Sequence, residues 1–362
     1  MKVLGVCSYP TEAAATRFRL AQYSDPLRDR GIELTIRPFL GGSQFSNFYG
    51  KSGSINKLIG MIGPLLGRFA DIFKAKGSNV LLVQREAMFF GPPFFEWLYR
   101  TLGDLPMVLD LDDATYVPYV SPSYGKIGSI LKFQGKTDKL IEQAEVVICG
   151  NRIIAEYVES KGTRSVTIPT VVDTDRFCPV QKDNEIPVLG WIGTHSTFPV
   201  LESIFPVLQR LARKHQFLLK IVGAGRGKVT VEGVNVVNLD WELDTEVSHF
   251  QSLDVGLYPI TVTGSMPAEW IVGKSGFKAI QYFAVGVPFV MSPIGVCAEL
   301  GEPSVTHFNA STDDEWFYAL DRLLSSPELR RSMGDAGRKH SLENYRLDQH
   351  ANTLAYELKK IG

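Results

Sequence analysis

The sequence predicts an α/β protein made of two doubly wound, Rossmann-like domains. Short apolar or β-branched runs alternate with segments of helical periodicity from the first residues onward, which is typical of βαβ units around a parallel sheet. A polar, proline-flanked stretch interrupts this alternation once, and the same pattern then starts again. The length of 362 residues also exceeds what one hydrophobic core usually serves, so two cores are expected.

The first domain is predicted to span residues 1–178. Helical segments connect its strands; in residues 15–30, Phe18, Tyr23 and Leu27 recur among charged residues, and Gly31 then supplies a helix stop. The candidate strands are the short apolar runs at residues 3–6, 34–36, 80–83, 107–109, 146–148 and 166–168.

Residues 179–186 form the predicted linker, because Pro179 and Pro187 bracket a polar run. The second domain is predicted over residues 187–345, and the last residues, 346–362, form a helix expected to pack back on the first domain. The candidate strands of the second domain are residues 188–192, 218–222, 234–237, 255–258 and 287–291, with helices near 200–214, near 245–252 and from Lys274 onward.

The composition is that of a globular protein and excludes several function classes. Apolar residues make up 44% and charged residues 21%, which is far from a disordered or collagenous chain. Lys plus Arg number 38 against 39 Asp plus Glu, so no global positive field attracts nucleic acid. Recognition of any phosphate must therefore be local.

The cysteines and the N-terminus indicate a cytoplasmic protein. Cys7, Cys149, Cys178 and Cys297 are widely spaced and include no Cys-x-x-Cys pair, which predicts reduced thiols. The apolar stretch at residues 3–6 is too short for the hydrophobic region of a signal peptide.

The most informative segment runs from Gly273 to Pro288. A helix that starts after two glycines and Lys274 presents free backbone N–H groups, a positive dipole end and a cation at one point, which suits a diphosphate. Lys278 and Gln281 follow Lys274 at +4 and +7 and are expected to share its face. An ordinary helix with a solvated lysine would give the same spacing.

This segment resembles the donor-binding element of GT-B glycosyltransferases of the large retaining family 4. The resemblance extends over nearly the whole chain through further motifs. These are 284–290 (AVGVPFV), 190–194 (GWIGT), 172–177 (VDTDRF), 84–86 (QRE), 92–96 (PPFFE), 109–113 (LDLDD) and 168–170 (IPT). The last four are similar to a branch that acts on cell-surface polysaccharides or glycolipids.

The resemblance implies two domains facing across a cleft, a nucleotide-diphosphate sugar as donor, a glycan or lipid-linked acceptor, retention of anomeric configuration, and no metal or other cofactor. Lys274 at the helix start is the catalytic candidate, expected to stabilise the leaving diphosphate. The candidate donor-binding residues are Gly193, Thr194, His195, Ser275, Gly276, Phe277, Lys278 and Gln281. His195 is included for its place after a strand, although a lone loop histidine is more often incidental.

Two departures from the family pattern concern the donor site. Many members carry two glutamates separated by seven residues here, and the matching positions are Gly273 and Gln281. Many also carry an Arg and a Lys in the first turn of the donor domain, where Thr194 and Phe198 or its neighbours stand. Lys274 and Lys278 are candidates to supply the missing charge; the alternative is a protein that binds no donor productively.

Acidic residues at a strand end of the first domain are the candidate acceptor-side catalytic groups. Asp110, Asp112 and Asp113 end a buried-looking strand, where a cleft-facing acid is expected, and Asp112 is the nearest counterpart of a family histidine. Three carboxylates at a strand end also commonly cap the next helix. We name Asp112 and Asp113 as catalytic candidates.

Four further residues are candidates for acceptor binding. Arg17 and Arg19, near a helix start, offer planar forks for a phosphate or carboxylate, although a solvated helix face would look the same. Arg85 and Glu86 follow the strand at 80–83, and they are alternatively partners of each other.

Residues 55–76 combine large apolar side chains with lysines and arginines. Such a helix suits a peripheral contact with the anionic inner face of a membrane, whereas core packing of an amphipathic helix is the simpler explanation of the pattern.

Three rival functions remain open. A GT-B-shaped nucleotide-sugar epimerase keeps the fold and changes the reaction. A glycan-binding or scaffold protein descended from a transferase is motivated by Gly273 and Gln281. A nicotinamide dehydrogenase is the most distant, because the glycine-rich run at 223–227 is followed by Val229-Thr230-Val231 and not by a clear helix.

Overall fold

The computed structural model describes residues 1–49, 60–118, 133, 135–261 and 267–362. The chain forms two compact units: the first contains Met1–Thr170 and Leu347–Gly362, and the second contains Val171–Arg346. Residues 171–178 thus belong with the second unit, ahead of the linker predicted at 179–186. Arg338 explains this grouping, because its guanidinium donates to the carbonyls of Thr174 and Phe177 at 3.0 and 2.8 Å.

The first unit contains a parallel sheet. Among the described residues it has six strands in the order β2-β1-β3-β4-β5-β6. Their bounds are β1 Lys2–Cys7, β2 Glu33–Pro38, β3 Val80–Gln84, β4 Met107–Leu111, β5 Val146–Cys149 and β6 Ser165–Thr167. The central strands β3, β4 and β5 are buried along their whole length, as expected for a sheet covered by helices on both faces.

Helices connect and cover these strands. They are α1 Ala14–Arg19, α2 Ser24–Asp29, α3 Gly42–Tyr49, α4 Ile62–Lys74, α5 Phe94–Gly103, α6 Lys136–Gln143, α7 Arg152–Ser160 and, from the C-terminus, α15 Leu347–Ile361. The single helix predicted at 15–30 was wrong in one respect: a 3-10 turn, Ala21–Tyr23, separates α1 from α2. Pro26 explains part of the break, since it has no N–H to continue an α-helical ladder.

The second unit repeats the architecture around a second parallel sheet. In the described part of the chain its order is β12-β11-β10-β7-β8-β9. The strands are β7 Val188–Ile192, β8 Leu218–Val222, β9 Asn235–Leu239, β10 Val255–Tyr258, β11 Phe289–Met291 and β12 Phe308–Asn309. Its helices are α8 Phe198–Glu202, α9 Phe205–Ala212, α10 Glu246–Gln251, α11 Ala268–Val272, α12 Phe277–Ala284, α13 Asp313–Ser325 and α14 Pro327–Asn344.

The predicted fold class is confirmed: the chain is α/β with two doubly wound units. Every predicted strand is present, with ends that shift by at most two residues. Sequence analysis missed β12, whose two residues are too few to show a period. The predicted helix at 200–214 is two helices, because Pro206 lies in the first turn of α9.

In the described ranges, no helix is both long enough and apolar enough to cross a bilayer.

Candidate functional site

The sheet of the second unit has a topological switch point between β7 and β10. The chain runs from β7 outward to β8 and β9, then returns to β10 on the other side of β7 and continues to β11 and β12. Doubly wound sheets bind ligands beyond the carboxyl ends of the strands at such a point. The loops that follow β7 and β10 are therefore the first place to look for a ligand site in this unit.

The chain between β10 and α12 contains α11 and reaches α12 through a left-handed glycine. Gly276 has φ 65°, a left-handed conformation that favours glycine, and a Cβ there would lie 2.5 Å from Leu300 Cδ1. Because Gly276 breaks the helical conformation, Lys274 lies in the turn before the helix. The expectation that Lys274 shares a helix face with Lys278 and Gln281 was therefore wrong.

The start of α12 offers hydrogen-bond donors. Among the described residues, the backbone N–H groups of Ser275 and Gly276 donate to no acceptor. Lys274 and Ser275 are partly exposed, whereas Gly276 is buried. A cation and unsatisfied N–H groups thus meet at the positive end of a helix, an arrangement that attracts anions.

Cys297 lies between the end of β10 and the start of α12. Its Sγ is 3.4 Å from the position of a Cβ on Gly276, and it interacts with Tyr258, the last residue of β10. Burial raises the pKa of the Cys297 thiol to about 12, although Tyr258 and the charge of Lys274 oppose the rise. Cys297 is therefore a neutral packing residue that holds the helix start at the carboxyl edge of β10.

Gln281 faces the interior and does not present its amide to solvent. Its side chain is fully buried, and its Oε1 accepts a hydrogen bond from Lys278 Nζ at 2.8 Å. Its Nε2 has no partner within the described part of the chain. The Lys278 ammonium also lies 5.0 Å from the centre of the Phe250 ring. Gln281 thus orients the Lys278 ammonium through this hydrogen bond.

The loop after β7 places three of the predicted donor-binding residues at the same sheet edge. Thr194 and His195 are exposed, and Gly193 donates to Val222 O at 3.0 Å. Gly223 approaches this loop so closely that a Cβ on it would lie 2.3 Å from Gly193 O. The loops after β7 and β8 therefore form one surface, in which the His195 ring bonds to no other described residue.

At the carboxyl edge of the first sheet, Arg85 joins both predicted catalytic aspartates. Its guanidinium donates to Asp112 Oδ1 and Oδ2 at 2.6 and 2.8 Å and to Asp113 Oδ2 at 2.6 Å. Gln84 Nε2 donates to Asp112 at 3.1 Å. Arg85 has φ 61°, a left-handed conformation that costs a non-glycine residue about 1–2 kcal/mol. This backbone conformation directs the Arg85 guanidinium towards the carboxylates of Asp112 and Asp113.

These bonds keep the Asp112 carboxylate ionised. Burial by itself raises the pKa of Asp112, but the Arg85 guanidinium opposes burial, and the net pKa lies below that of an ordinary aspartate. Asp113 keeps 26% of its side chain exposed, against 9% for Asp112. Of the two, Asp113 is the better placed to meet a molecule from solvent.

Arg19 is buried, and each of its three nitrogens donates a hydrogen bond within the first unit. It forms an ion pair with Asp110 at 2.6 Å, and its Nη1 donates to Ile168 O at 2.7 Å. Burial lowers the pKa of Arg19, but Asp110 more than offsets this and the net pKa is raised. The fork predicted to grip an acceptor is thus committed to the interior.

The other two predicted acceptor residues also have partners in the first unit. Arg17 is buried and donates to Thr11 O and Glu12 O at 3.1 and 2.9 Å. Glu86 pairs with Lys136 at 3.1 Å, so Arg85 and Glu86 do not pair with each other. Lys136 lies 50 residues after Glu86 in the sequence, and no local sequence pattern indicates this contact.

The segment at 55–76, considered for a membrane contact, begins outside the described residues, at 55–59. Arg68, grouped there with the surface cations, is buried and donates to the carbonyls of Cys7 and Ala87 at 2.7 and 2.6 Å. It therefore anchors α4 to the sheet and is not a surface cation. The other side of α4 exposes the apolar side chains of Ile62, Leu66, Phe69 and Phe73.

Sequence analysis did not name three side chains that shape these sites as site residues. Gln84 stands in the motif at 84–86 and could have been named, because it is the last residue of the strand that Arg85 follows. Cys297 and Lys136 could not, since neither lies in a motif, and each reaches the site from a remote segment.

Comparison with known proteins supports the fold over the full length. No protein-family model matches the sequence, and the comparison with curated proteins found no match. Solved structures do match: a sucrose-phosphate synthase from Thermosynechococcus elongatus has 13% identity and a TM-score of 0.67 over 99% of both chains. A glycosyltransferase from Rickettsia africae has 13% identity and a TM-score of 0.68, covering 99% of this chain and 98% of that one. Anabaena HepE in complex with UDP-glucose has 13% identity and a TM-score of 0.69, covering 99% and 100%.

Proposed function

We propose that this protein is a glycosyltransferase that moves a sugar from a nucleotide-diphosphate sugar to an acceptor hydroxyl. The fold shared with glycosyltransferases over the whole chain supports this proposal, and so does the chemistry of the two sheet edges. The observation that carries it is the start of α12, where Lys274 and the unpartnered N–H groups of Ser275 and Gly276 lie beside the switch point of the second sheet.

In this proposal the second unit binds the donor. The diphosphate lies against the start of α12, and the exposed loop residues Thr194 and His195 contact the donor beside it. Negative charge grows on the leaving diphosphate as the anomeric bond breaks. Lys274 stabilises that charge, an effect worth about 3 kcal/mol for one well-placed donor. Lys278, oriented by Gln281, adds a second positive charge.

The first unit supplies the acceptor side of the proposed reaction. Arg85 fixes Asp112 and Asp113 at the carboxyl edge of β4, and the more exposed Asp113 is the group that we assign to an acceptor hydroxyl. Arg85 is then a positioning residue. The burial of Arg19 and the partners of Arg17 and Glu86 favour structural roles for those three.

Three finer features of the proposal rest on resemblance to glycosyltransferase family 4. They are retention of anomeric configuration, an acceptor in polysaccharide or glycolipid synthesis, and independence of a metal cofactor. The cytoplasm is the proposed compartment, and the four free cysteines support it. NMR of the anomeric proton in the first-formed product tests retention, and inversion would contradict it.

A donor screen tests the main proposal. UDP-sugars come first, because Anabaena HepE is seen with UDP-glucose, and GDP-sugars follow. We expect slow hydrolysis of one donor without acceptor. We expect Lys274→Ala to reduce that hydrolysis about a hundredfold, since it removes a charge that acts in the transition state. Lys339→Ala, an exposed lysine on α14, is the matched control and should leave the rate unchanged.

Calorimetric titration with UDP and GDP separates the rivals. If neither nucleotide bound while free glycans did, the protein would be a glycan-binding relative and the enzyme proposal would be wrong. If a nucleotide sugar were converted to its epimer without acceptor, the reaction would be epimerisation. If Lys274→Ala and the wild type hydrolysed the donor at the same rate, the start of α12 would not be the phosphate site.

A further inference from the structure

The loop that follows β8, residues 223–226, packs against the loop that follows β7. Gly223 and Gly225 have φ 81° and 65°, in the left-handed region that glycine tolerates. A Cβ on Gly223 would lie 2.3 Å from Gly193 O, and a Cβ on Gly225 would lie 2.7 Å from His195 Cβ. The backbone of this loop therefore touches the loop that the proposed function places beside the donor.

Arg226 is the charged residue that this loop positions. It follows Gly225 directly, and its carbonyl accepts a hydrogen bond from Asn238 Nδ2 of β9 at 2.7 Å. The main chain at Arg226 is thus held by β9 on one side and by the contact of Gly225 with His195 on the other. The side chain therefore extends from a defined point at the carboxyl edge of the second sheet.

The Arg226 side chain lies at the start of α8. Its guanidinium is 4.6 Å from the centre of the Phe198 ring, and its Nη1 donates to Glu202 Oε1 at 2.9 Å. Phe198 is buried, and its N–H donates to Thr194 O at 3.0 Å. A planar guanidinium stacks on an aromatic face and still presents N–H groups at its edges. The stacking therefore holds a cation next to the loop that carries Thr194.

Most of the hydrogen-bond donors of Arg226 are available to a ligand. A guanidinium has five N–H groups, and within the described part of the chain the Arg226 side chain uses one of its nitrogens, for Glu202. The Arg226 side chain is 52% exposed and that of Glu202 is 36% exposed. An ion pair this exposed is weak, so an anion that carries more than one charge can displace the carboxylate.

The strand order brings Arg226 and Lys274 to the same ligand from two sides. In the order β10-β7-β8, the loop after β8 and the helix start held at the edge of β10 lie on opposite sides of β7. Neighbouring strands are separated by about 4.8 Å, so the ends of β8 and β10 are about 10 Å apart. A diphosphate above the end of β7 can span this distance together with the long side chains of a lysine and an arginine.

We propose that Arg226 binds the diphosphate of the nucleotide sugar from the side opposite Lys274. This inference rests on the proposed function and adds to it a residue from the loop after β8. Without donor, Glu202 holds the Arg226 guanidinium over Phe198. When the donor binds, its phosphate oxygens replace the Glu202 carboxylate and accept two parallel hydrogen bonds from the guanidinium. Phe198 and Glu202 are positioning residues in this arrangement.

Calorimetric titration of the full chain with UDP tests the proposal, with GDP in its place if UDP does not bind. We expect Arg226→Gln to weaken binding of the nucleoside diphosphate about tenfold, because it removes a charge-assisted hydrogen bond. Arg226→Lys keeps the charge and loses the planar fork, so it should weaken binding by about threefold. The matching nucleoside has no phosphate, and NMR should show that its binding is the same in all three proteins.

Arg210 provides the matched control. It pairs with Asp314 at 2.6 Å, lies 3.9 Å from the centre of the Phe317 ring and keeps 54% of its side chain exposed. It stands on α9, outside the loops after β7 and β8. Arg210→Gln should therefore bind the nucleoside diphosphate as the wild type does. If Arg226→Gln bound as tightly as Arg210→Gln while Lys274→Ala bound more weakly, Arg226 would not contact the donor, although the proposed function would stand.

Glu202→Gln tests the exchange of partners at Arg226. Because the variant removes the competing carboxylate, we expect the nucleoside diphosphate to bind about two- to threefold more tightly, the size expected for a weak surface pair. In the Arg226→Gln background this gain should disappear. An equal gain in both backgrounds would contradict the exchange. Failure of the wild type to bind either UDP or GDP would overturn the proposed function and this inference with it.

Discussion

Individual side chains at the first sheet edge depend on partners that are far away in the sequence. Arg19 reaches Asp110 across 91 residues, and Arg85 reaches Asp112 across 27. Breaking a buried pair by removing one partner is costly, because the other charge stays buried without compensation. A single substitution in one of these buried pairs should therefore lower the stability of the protein, even when the new side chain has the same size and shape.

Asp110→Asn should lower the free energy of unfolding by about 3 kcal/mol, since it leaves the Arg19 charge uncompensated in the interior. Urea unfolding at neutral pH measures this. Asp25→Asn is the control: Asp25 pairs with Arg28 at the surface, with both side chains more than two-thirds exposed, so its loss should cost less than about 0.5 kcal/mol. Equal losses in the two variants would contradict this view of the buried pair.

His307 should make the second unit sensitive to acid. Burial lowers its pKa from 6.5 to about 4, and its ring stacks on Phe289 between Thr306 and Asn309. Because the unfolded state takes up the proton more readily, this contribution to stability is present above pH 6.5 and is lost as the pH falls towards 4. The loss should reach about 3 kcal/mol.

Unfolding free energies measured across this pH range in the wild type and in His307→Gln isolate the effect, since the other titrating groups are common to both. The difference between the two proteins should shrink as the pH falls. A constant difference would mean that His307 does not titrate in this way.

At the scale of single elements, the geometry of a helix start decides what the helix can bind. Helix α12 begins where it does because Gly276 adopts a left-handed conformation and packs against Leu300 and Cys297. Its hydroxyl-bearing Tyr282 then donates to Gly190 O and Leu257 O, both at 3.2 Å, which fixes the helix across β7 and β10. The start of the helix is thus set by backbone conformation and by packing together.

Gly276→Ala should destabilise the protein by about 2 kcal/mol and weaken nucleotide binding, because the new Cβ meets Leu300 and the left-handed backbone is strained. Thermal unfolding and UDP titration measure the two effects. Gly227→Ala is the control, since a Cβ at that glycine meets nothing within 4 Å. Nucleotide binding as tight in Gly276→Ala as in Gly227→Ala would exclude the start of α12 as the phosphate site.

At the scale of the whole molecule, the first unit is built from both ends of the sequence. Helix α15 belongs to it through Ala351, Leu354 and Leu358, which are buried, and through the pairs of Arg30 with Asp348 and Arg164 with Glu357. The second unit is continuous in sequence between these parts. The stability of the first unit should therefore respond to changes near the C-terminus, while the second unit should not.

Leu354→Ser should speed hydrogen exchange in β1, β2 and α2 and leave the strands of the second unit unchanged. A buried leucine removed from this helix costs about 2–5 kcal/mol. Tyr356→Ser, on the exposed side of the same helix, should leave exchange in both units as in the wild type. Faster exchange in the second unit alone would contradict the division of the chain.

The sequence by itself determined the two α/β units and, within the described part of the chain, all the strands but one. Hydrophobic periodicity and turn residues are local signals, so they can be recognised in the sequence without knowledge of the tertiary structure. It also pointed to the segment around Lys274, because glycines before a helix are visible without a structure. The roles of the predicted site residues remain predictions.

Only the tertiary structure decided which charges are available. Arg19 and Arg68 look like surface arginines in the sequence, yet one is paired with Asp110 and the other donates to main-chain carbonyls. Gln281 looks like a ligand contact but is buried against Lys278. In the sequence alone, the apolar residues on the exposed face of α4 look like residues that pack in a core. Exposure and pairing depend on contacts between remote segments, and no local pattern of residues encodes them.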